Sequence, residues 1–152
     1  MDDIQVRTLA ERREAALERL RIDTDLWLAT AGDGRGPHLI PVSYWWDGAR
    51  LLTATFEGSR TLRNIQAQPR IRASLGCTGD VLLIDAGAEL AAADVEDVAA
   101  DGNARASGVP RATPGFAYIH LVPERMQVWR GPRESSGRAV MRAGVWLDEP
   151  VD

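Results

Sequence analysis

Lysine is absent from this chain. All 18 basic residues are arginine, so Schiff-base chemistry and a P-loop lysine are excluded. Any anion site must be built from guanidinium groups, hydroxyls or backbone N–H groups. A single cysteine, Cys77, excludes an internal disulfide and a cysteine-based zinc site. Histidine is scarce as well. His38 and His120 are the only two, and without a matching acidic pair they do not make a zinc hydrolase, so no metal site is expected. A Ser–His–Asp site is not supported either: there is no G-x-S-x-G elbow, and Gly58-Ser59 is followed by Arg60. No apolar run approaches the roughly 20 residues that span a membrane. The N-terminal MDDIQVRTLAERRE has no signal-peptide pattern, so the expected location is cytoplasmic. The net charge of −4, without an acidic or basic block, argues against nucleic-acid binding.

What is present is a hydrophobic fraction of 45% in 152 residues, enough for one core and one domain spanning 1–152. Thr8-Leu9-Ala10-Glu11 has the form of a capping box. Leu9, Ala16, Leu17 and Leu20 then recur at helical spacing, which predicts a helix over about 8–20 whose charges solvate the outer face. Strands are expected at Asp25–Thr30, His38–Trp46, Arg50–Thr55, Arg70–Leu75, Val81–Leu90 and Phe116–Trp129. The glycine-rich Ala31–Pro37 joins the first two, and Asp47-Gly48 is a two-residue hairpin signal between the second and third. A helix opening at Ser59 must stop before Pro69. Val95–Ser107 is a further helical stretch, and its carboxylates Asp94, Glu96, Asp97 and Asp101 lack calcium-loop spacing and read as a solvated face. The tail, 131–152, reads as a short helix or turn packed by Trp146. Six short antiparallel strands over about 25–130, with few helices, give a mainly β (α+β) fold, a small antiparallel barrel.

The densest chemistry lies where the third strand empties into Gly58-Ser59-Arg60-Thr61. Ser59 can cap the following helix, the first N–H groups of a helix are unpaired, and the dipole adds partial positive charge there. Arg60 adds a planar guanidinium suited to phosphate. The same pattern also describes an ordinary capped helix with a surface arginine. Adjacent Trp45 and Trp46 must point to opposite faces of their strand, one to the core and one to a pocket or interface. Trp129 beside Arg130 pairs an aromatic face with a cation, as a planar charged ligand or plain edge packing would use. No side chain stands out as a general acid or base, so no catalytic residue is assigned. That pattern suits a protein whose reactive group is a bound redox cofactor.

These residues, in order, resemble the pyridoxamine 5′-phosphate oxidase-like split β-barrels. The run G-x-P-H-L-I-P-V at Gly36–Val42, Asp47-Gly48, Thr55 followed by Gly58-Ser59-Arg60, Asn64-Ile65 and Pro69 carry the likeness. Met126–Arg130, Glu134, Gly137-Arg138, Met141-Arg142 and Gly144–Leu147 resemble the flavin- and deazaflavin (F420)-dependent oxidoreductase branch. The resemblance implies a six-stranded split barrel that forms a homodimer, with F420 or FMN at the subunit interface and a small-molecule substrate. It implies that Thr55, Ser59 and Arg60 hold the cofactor phosphate, with Thr61 where relatives carry lysine; Arg60 or Arg63 is left to supply the missing charge. It implies that Ile40, Pro41, Val42 and Ser43 flank the ring, and that Trp129 and Arg130 reach it from the other subunit. The strand-two arginine and lysine and the C-terminal Arg/His pattern of the oxidase itself are not found. Two other readings stand beside the hydride-transfer enzyme. One is a non-catalytic flavin- or haem-binding carrier on the same barrel, with His38 or His120 on haem. The other is a dimeric remnant without a ligand.

Overall fold

The computed structural model describes residues 5–32, 34–91, 102 and 113–151. Helix α1, Leu9–Ile22, begins on the expected capping box: Thr8 Oγ1 accepts from Glu11 N, and the Glu11 carboxylate accepts from Thr8 N at 2.7 Å. Strands β1 (Asp25–Thr30), β2 (His38–Trp46) and β3 (Leu51–Phe56) follow as a meander. Helix α2 spans Arg60–Ala67, and β4 (Arg70–Cys77), β5 (Asp80–Leu90) and β6 (Phe116–Trp129) complete the set. All pairings are antiparallel, in the order β3-β2-β1-β4-β5-β6, and β3 pairs with β6 to close a six-stranded barrel.

Alternation along the strands explains the closure. Leu28, Ile84, Ile119, Leu121 and Met126 point inward and are completely buried, while the intervening side chains face out. Tyr44 joins this core. Its hydroxyl donates to the Leu20 carbonyl at 3.1 Å, satisfying an orphan at the end of α1, and burial pushes the phenol pKa up. Strand β6 is long enough to serve two partners on one edge: β3 along Phe116–Leu121 and β7 (Ala139–Arg142) at Met126 and Gln127. On its other edge it pairs with β5, bulging at Glu124, which has no β5 partner between Pro123 and Arg125.

The tail departs from the expected helix or turn. A 3-10 turn at Pro132–Glu134 leads into β7 (Ala139–Arg142) and β8 (Val145–Trp146), a hairpin that extends the sheet beyond the barrel. The reason is pairing: β7 adds to the edge of β6 at Met126 and Gln127, and Ala139, Val140 and Met141 are buried there. A second departure is in α1. Arg12 does not solvate the outer face; it is 7% exposed and donates to the carbonyls of Arg7 and Gly137. Apart from Gly102, the expected Val95–Ser107 helix and its carboxylates lie outside the described residues. Gly102 is helical and buried against Trp45, with no room for a Cβ, whereas Trp46 belongs to the core.

Candidate cofactor site

Strands β2 and β3 pair only where Tyr44–Trp46 meet Leu51–Thr53, and then part. At the parting point Thr53 Oγ1 donates to the Ser43 carbonyl at 2.8 Å. From there His38–Val42 pair with β1 alone. Tyr44 N–H points toward β1, to the Thr24 carbonyl, so by the parity of the ladder the main-chain groups of Leu39, Pro41 and Ser43 face the gap. Pro41 therefore sits where its missing N–H forfeits no ladder bond.

The N-terminus of α2 stands across this gap. Ser59 caps it, accepting from Leu62 N–H at 3.0 Å, and Thr55 Oγ1 lies 2.9 Å from Ser59 Oγ. The Arg60 guanidinium reaches over to the Gly36 carbonyl at 3.1 Å, tying α2 to the glycine-rich loop before β2. Arg63 donates to the Gly58 carbonyl, so a second guanidinium flanks the same turn. Gly58 itself takes φ +76°, a conformation that favours glycine, and this lets the turn bring Ser59 back beside Thr55. The inner face of the helix is fixed by Asn64, fully buried, whose amide donates to Thr30 Oγ1 on β1 at 3.0 Å.

Thr55, Ser59 and Arg60 are thus brought together. Thr61 is not at their surface: it is 2% exposed and turned into the core, so the second cation of the turn is Arg63 rather than anything at position 61. Two clustered hydroxyls, a helix N-terminus and two guanidiniums form a donor set that fits a phosphate group. Along β2 the alternation separates the four named residues. Ile40 and Val42 lean toward the barrel, whereas Pro41 and Ser43 share the outer face with Leu39, which is 60% exposed. Leu39 was missed by sequence reasoning, and its place in the alternating pattern was the signal. The outer face continues through Trp27, paired with Pro41 and 51% exposed.

Trp129 and Arg130 lie at the far end of β6 and part company. The Trp129 ring packs under Arg138, whose guanidinium carbon is 4.9 Å from the ring centroid. The Arg130 side chain turns to Asp80, Nε to Oδ2 at 3.1 Å. Consecutive strand residues face opposite ways, which is why they do not act as a pair. The histidines are likewise separate: His38 pairs with Thr30 on β1, and His120 lies between Leu52 and Glu89 in the sheet. Among the described residues no group of three or more His, Cys, Asp or Glu side chains is placed to hold a metal ion. None of the described helices is long and apolar enough to cross a membrane.

A closed six-stranded antiparallel barrel whose second and third strands part beside a capped short helix defines the split-barrel class. The chain belongs to the pyridoxamine 5′-phosphate oxidase family, whose model matches residues 13–130. Among solved structures it is similar to an F420 reductase, with 18% identity, a TM-score of 0.60 and coverage of 72% of this chain and 93% of that one. It is also similar to a FAD-binding protein of Mesorhizobium loti, with 17% identity, a TM-score of 0.62 and coverage of 74% and 90%. A haem-binding protein of Mycobacterium smegmatis aligns with 16% identity and a TM-score of 0.68 over 93% of this chain and 60% of that one. At these identities the likeness concerns the fold. Among curated proteins, none matches the sequence.

Proposed function

We propose that this protein is a cytoplasmic, homodimeric oxidoreductase that binds F420 or FMN and passes hydride to a small unsaturated or quinone-like molecule. The observation that carries the reading is the meeting of Thr55, Ser59 and Arg60 at the start of α2, facing the gap between β2 and β3. In this reading the Thr55–Ser59 hydroxyl pair donates to the cofactor phosphate the proton that its mutual hydrogen bond leaves free. Arg60 and Arg63 balance its charge, and the Arg60–Gly36 bond holds the glycine-rich loop in place. The outer face of β2, at Leu39, Pro41 and Ser43, offers apolar surface and main-chain groups along which a planar ring can lie, with Ile40 and Val42 backing the strand from inside. A second subunit docked on the Trp27–Leu39 face would cover that surface, exclude water and bring up its own Trp129 and Arg130. The bound ring supplies the hydride chemistry, so the chain needs no side chain acting as acid or base.

Titration with F420 and, in parallel, with FMN, following ring fluorescence, tests the assignment. The Arg60→Ala variant is expected to weaken binding by about 1.5–3 kcal/mol, the scale of a charged hydrogen bond. Unchanged affinity in that variant would remove the phosphate from this seat. A second reading, a non-catalytic haem or flavin carrier, draws on the likeness to the haem-binding protein. Turnover of reduced cofactor with an acceptor separates the two, and a Soret band lost on replacing His38 or His120 would favour the carrier.

A further inference from the structure

A separate cavity of about 270 Å³ opens between the end of β6 and the tail, lined by Arg125, Gln127, Ser135, Ser136, Arg138 and Arg142 among others. No carboxylate belongs to its described lining. The nearby acids are engaged elsewhere: Glu134 with Arg7, Asp85 with Arg72, Glu124 with Arg70, and Asp148 with Arg13. Arg125 and Arg138 have no carboxylate partner among the described residues. What holds them is the buried Gln127. Its amide, oriented with the oxygen toward them, accepts from Arg125 Nη2 and Arg138 Nε at 3.0 Å each. That leaves further N–H groups on each guanidinium. The Trp129 ring supports Arg138 from below. Beneath the Ser136-Gly137 turn lies Arg12, a buried cation whose partners among the described residues are carbonyl oxygens. The positive charge of Arg125 and Arg138 is therefore collected around one concave, solvent-open site, with seryl hydroxyls at its edge.

We propose that this cavity binds the carboxylate or phosphate group of a small molecule, at a site distinct from the α2 seat. Along β6, Ala117 pairs with Thr55 beside the seat and Gln127 lines the cavity. Ten residues of strand separate the two sites within one protomer by about 30 Å. In an oxidoreductase of the kind proposed above, the site would favour an acidic substrate over a neutral one, but the binding itself does not depend on that reading.

The test follows the Trp129 indole N–H resonance of the full chain, assigned with Trp129→Phe, during titration with inorganic phosphate, with succinate and with neutral succinamide. Either anion is expected to give a saturable shift and succinamide none. Arg60→Gln should leave the response intact, whereas Arg125→Gln and Arg138→Gln should each weaken it by about tenfold or more, as loss of a charged hydrogen bond would. Two arginine variants are used so that misfolding of one, visible in the amide spectrum, does not decide the outcome. A shift of equal size with succinamide, or one that survives both arginine variants in folded protein, overturns the proposal. So does a response abolished by Arg60→Gln, since the anion would then sit at α2. Failure of F420 and FMN to bind while the phosphate or succinate response persists overturns the cofactor reading alone.

Discussion

The Glu134 carboxylate, 1% exposed, accepts from the backbone N–H and guanidinium of Arg7 and from the backbone N–H of Arg130. The Arg7 hydrogen bonds hold its pKa down at about 2, against an ordinary 4.5. Because the folded value lies below the unfolded one, the stabilisation, about 3 kcal/mol, is complete above pH 4.5 and is lost as pH falls toward 2. Glu134→Gln should therefore cost about 3 kcal/mol at neutral pH, since Arg7 then keeps only its longer contact with Asp80, at 3.5 Å. It should also flatten the acid limb of the stability curve between about pH 4.5 and 2. Urea unfolding at a series of pH values measures both effects, and an unchanged acid limb would rule out this role. Side chains whose partners are close in sequence were legible: the Thr8–Glu11 box and the Ser59 cap span three residues each. Glu134 was not, because Arg7 stands 127 positions away. The same holds for Arg12, whose burial is imposed by the tail that folds over it.

Elements were legible where hydrophobic alternation and turn chemistry coincide. The Asp47-Gly48 hairpin, the glycine-rich loop and the end of α2 before Pro69 stand within a residue or two of their expected places. The tail was misread because β7 and β8 are too short to show a period, and β7 owes its extended form to pairing with β6. The β4–β5 hairpin offers a sharp test at this scale. Gly76 takes φ +85°, and a Cβ there would run into the Asp80 carbonyl and come within 3.0 Å of Arg19 Nη1. The Arg19 guanidinium, at the end of a flexible side chain, can move aside, but the Asp80 backbone cannot give way cheaply. Gly76→Ala should destabilise the fold by about 2 kcal/mol or more, read as a lowered thermal midpoint. A variant as stable as the parent would mean that the hairpin relaxes freely.

For the whole molecule, the barrel was legible as a count of strands, but the pair of strands that closes it was not. Nothing local in Leu51–Phe56 announces pairing with Phe116–Leu121, since that ladder is set by the curvature of the entire sheet. The outer face bearing Trp27 and Leu39 is where a second copy is proposed to dock. Trp27→Glu together with Leu39→Glu should convert a dimer to a monomer in light scattering, with the far-ultraviolet spectrum unchanged and cofactor affinity sharply reduced. A variant that stays dimeric moves the interface elsewhere.

Pro41 carries a consequence of its own at this scale. Where β2 leaves β3, an ordinary strand would present a regular row of amides and carbonyls, a template that an extended peptide could zip onto. The pyrrolidine ring interrupts that row in the middle of the exposed stretch. Strand capture by a neighbouring chain is thereby disfavoured, and the cleft stays open for a small guest.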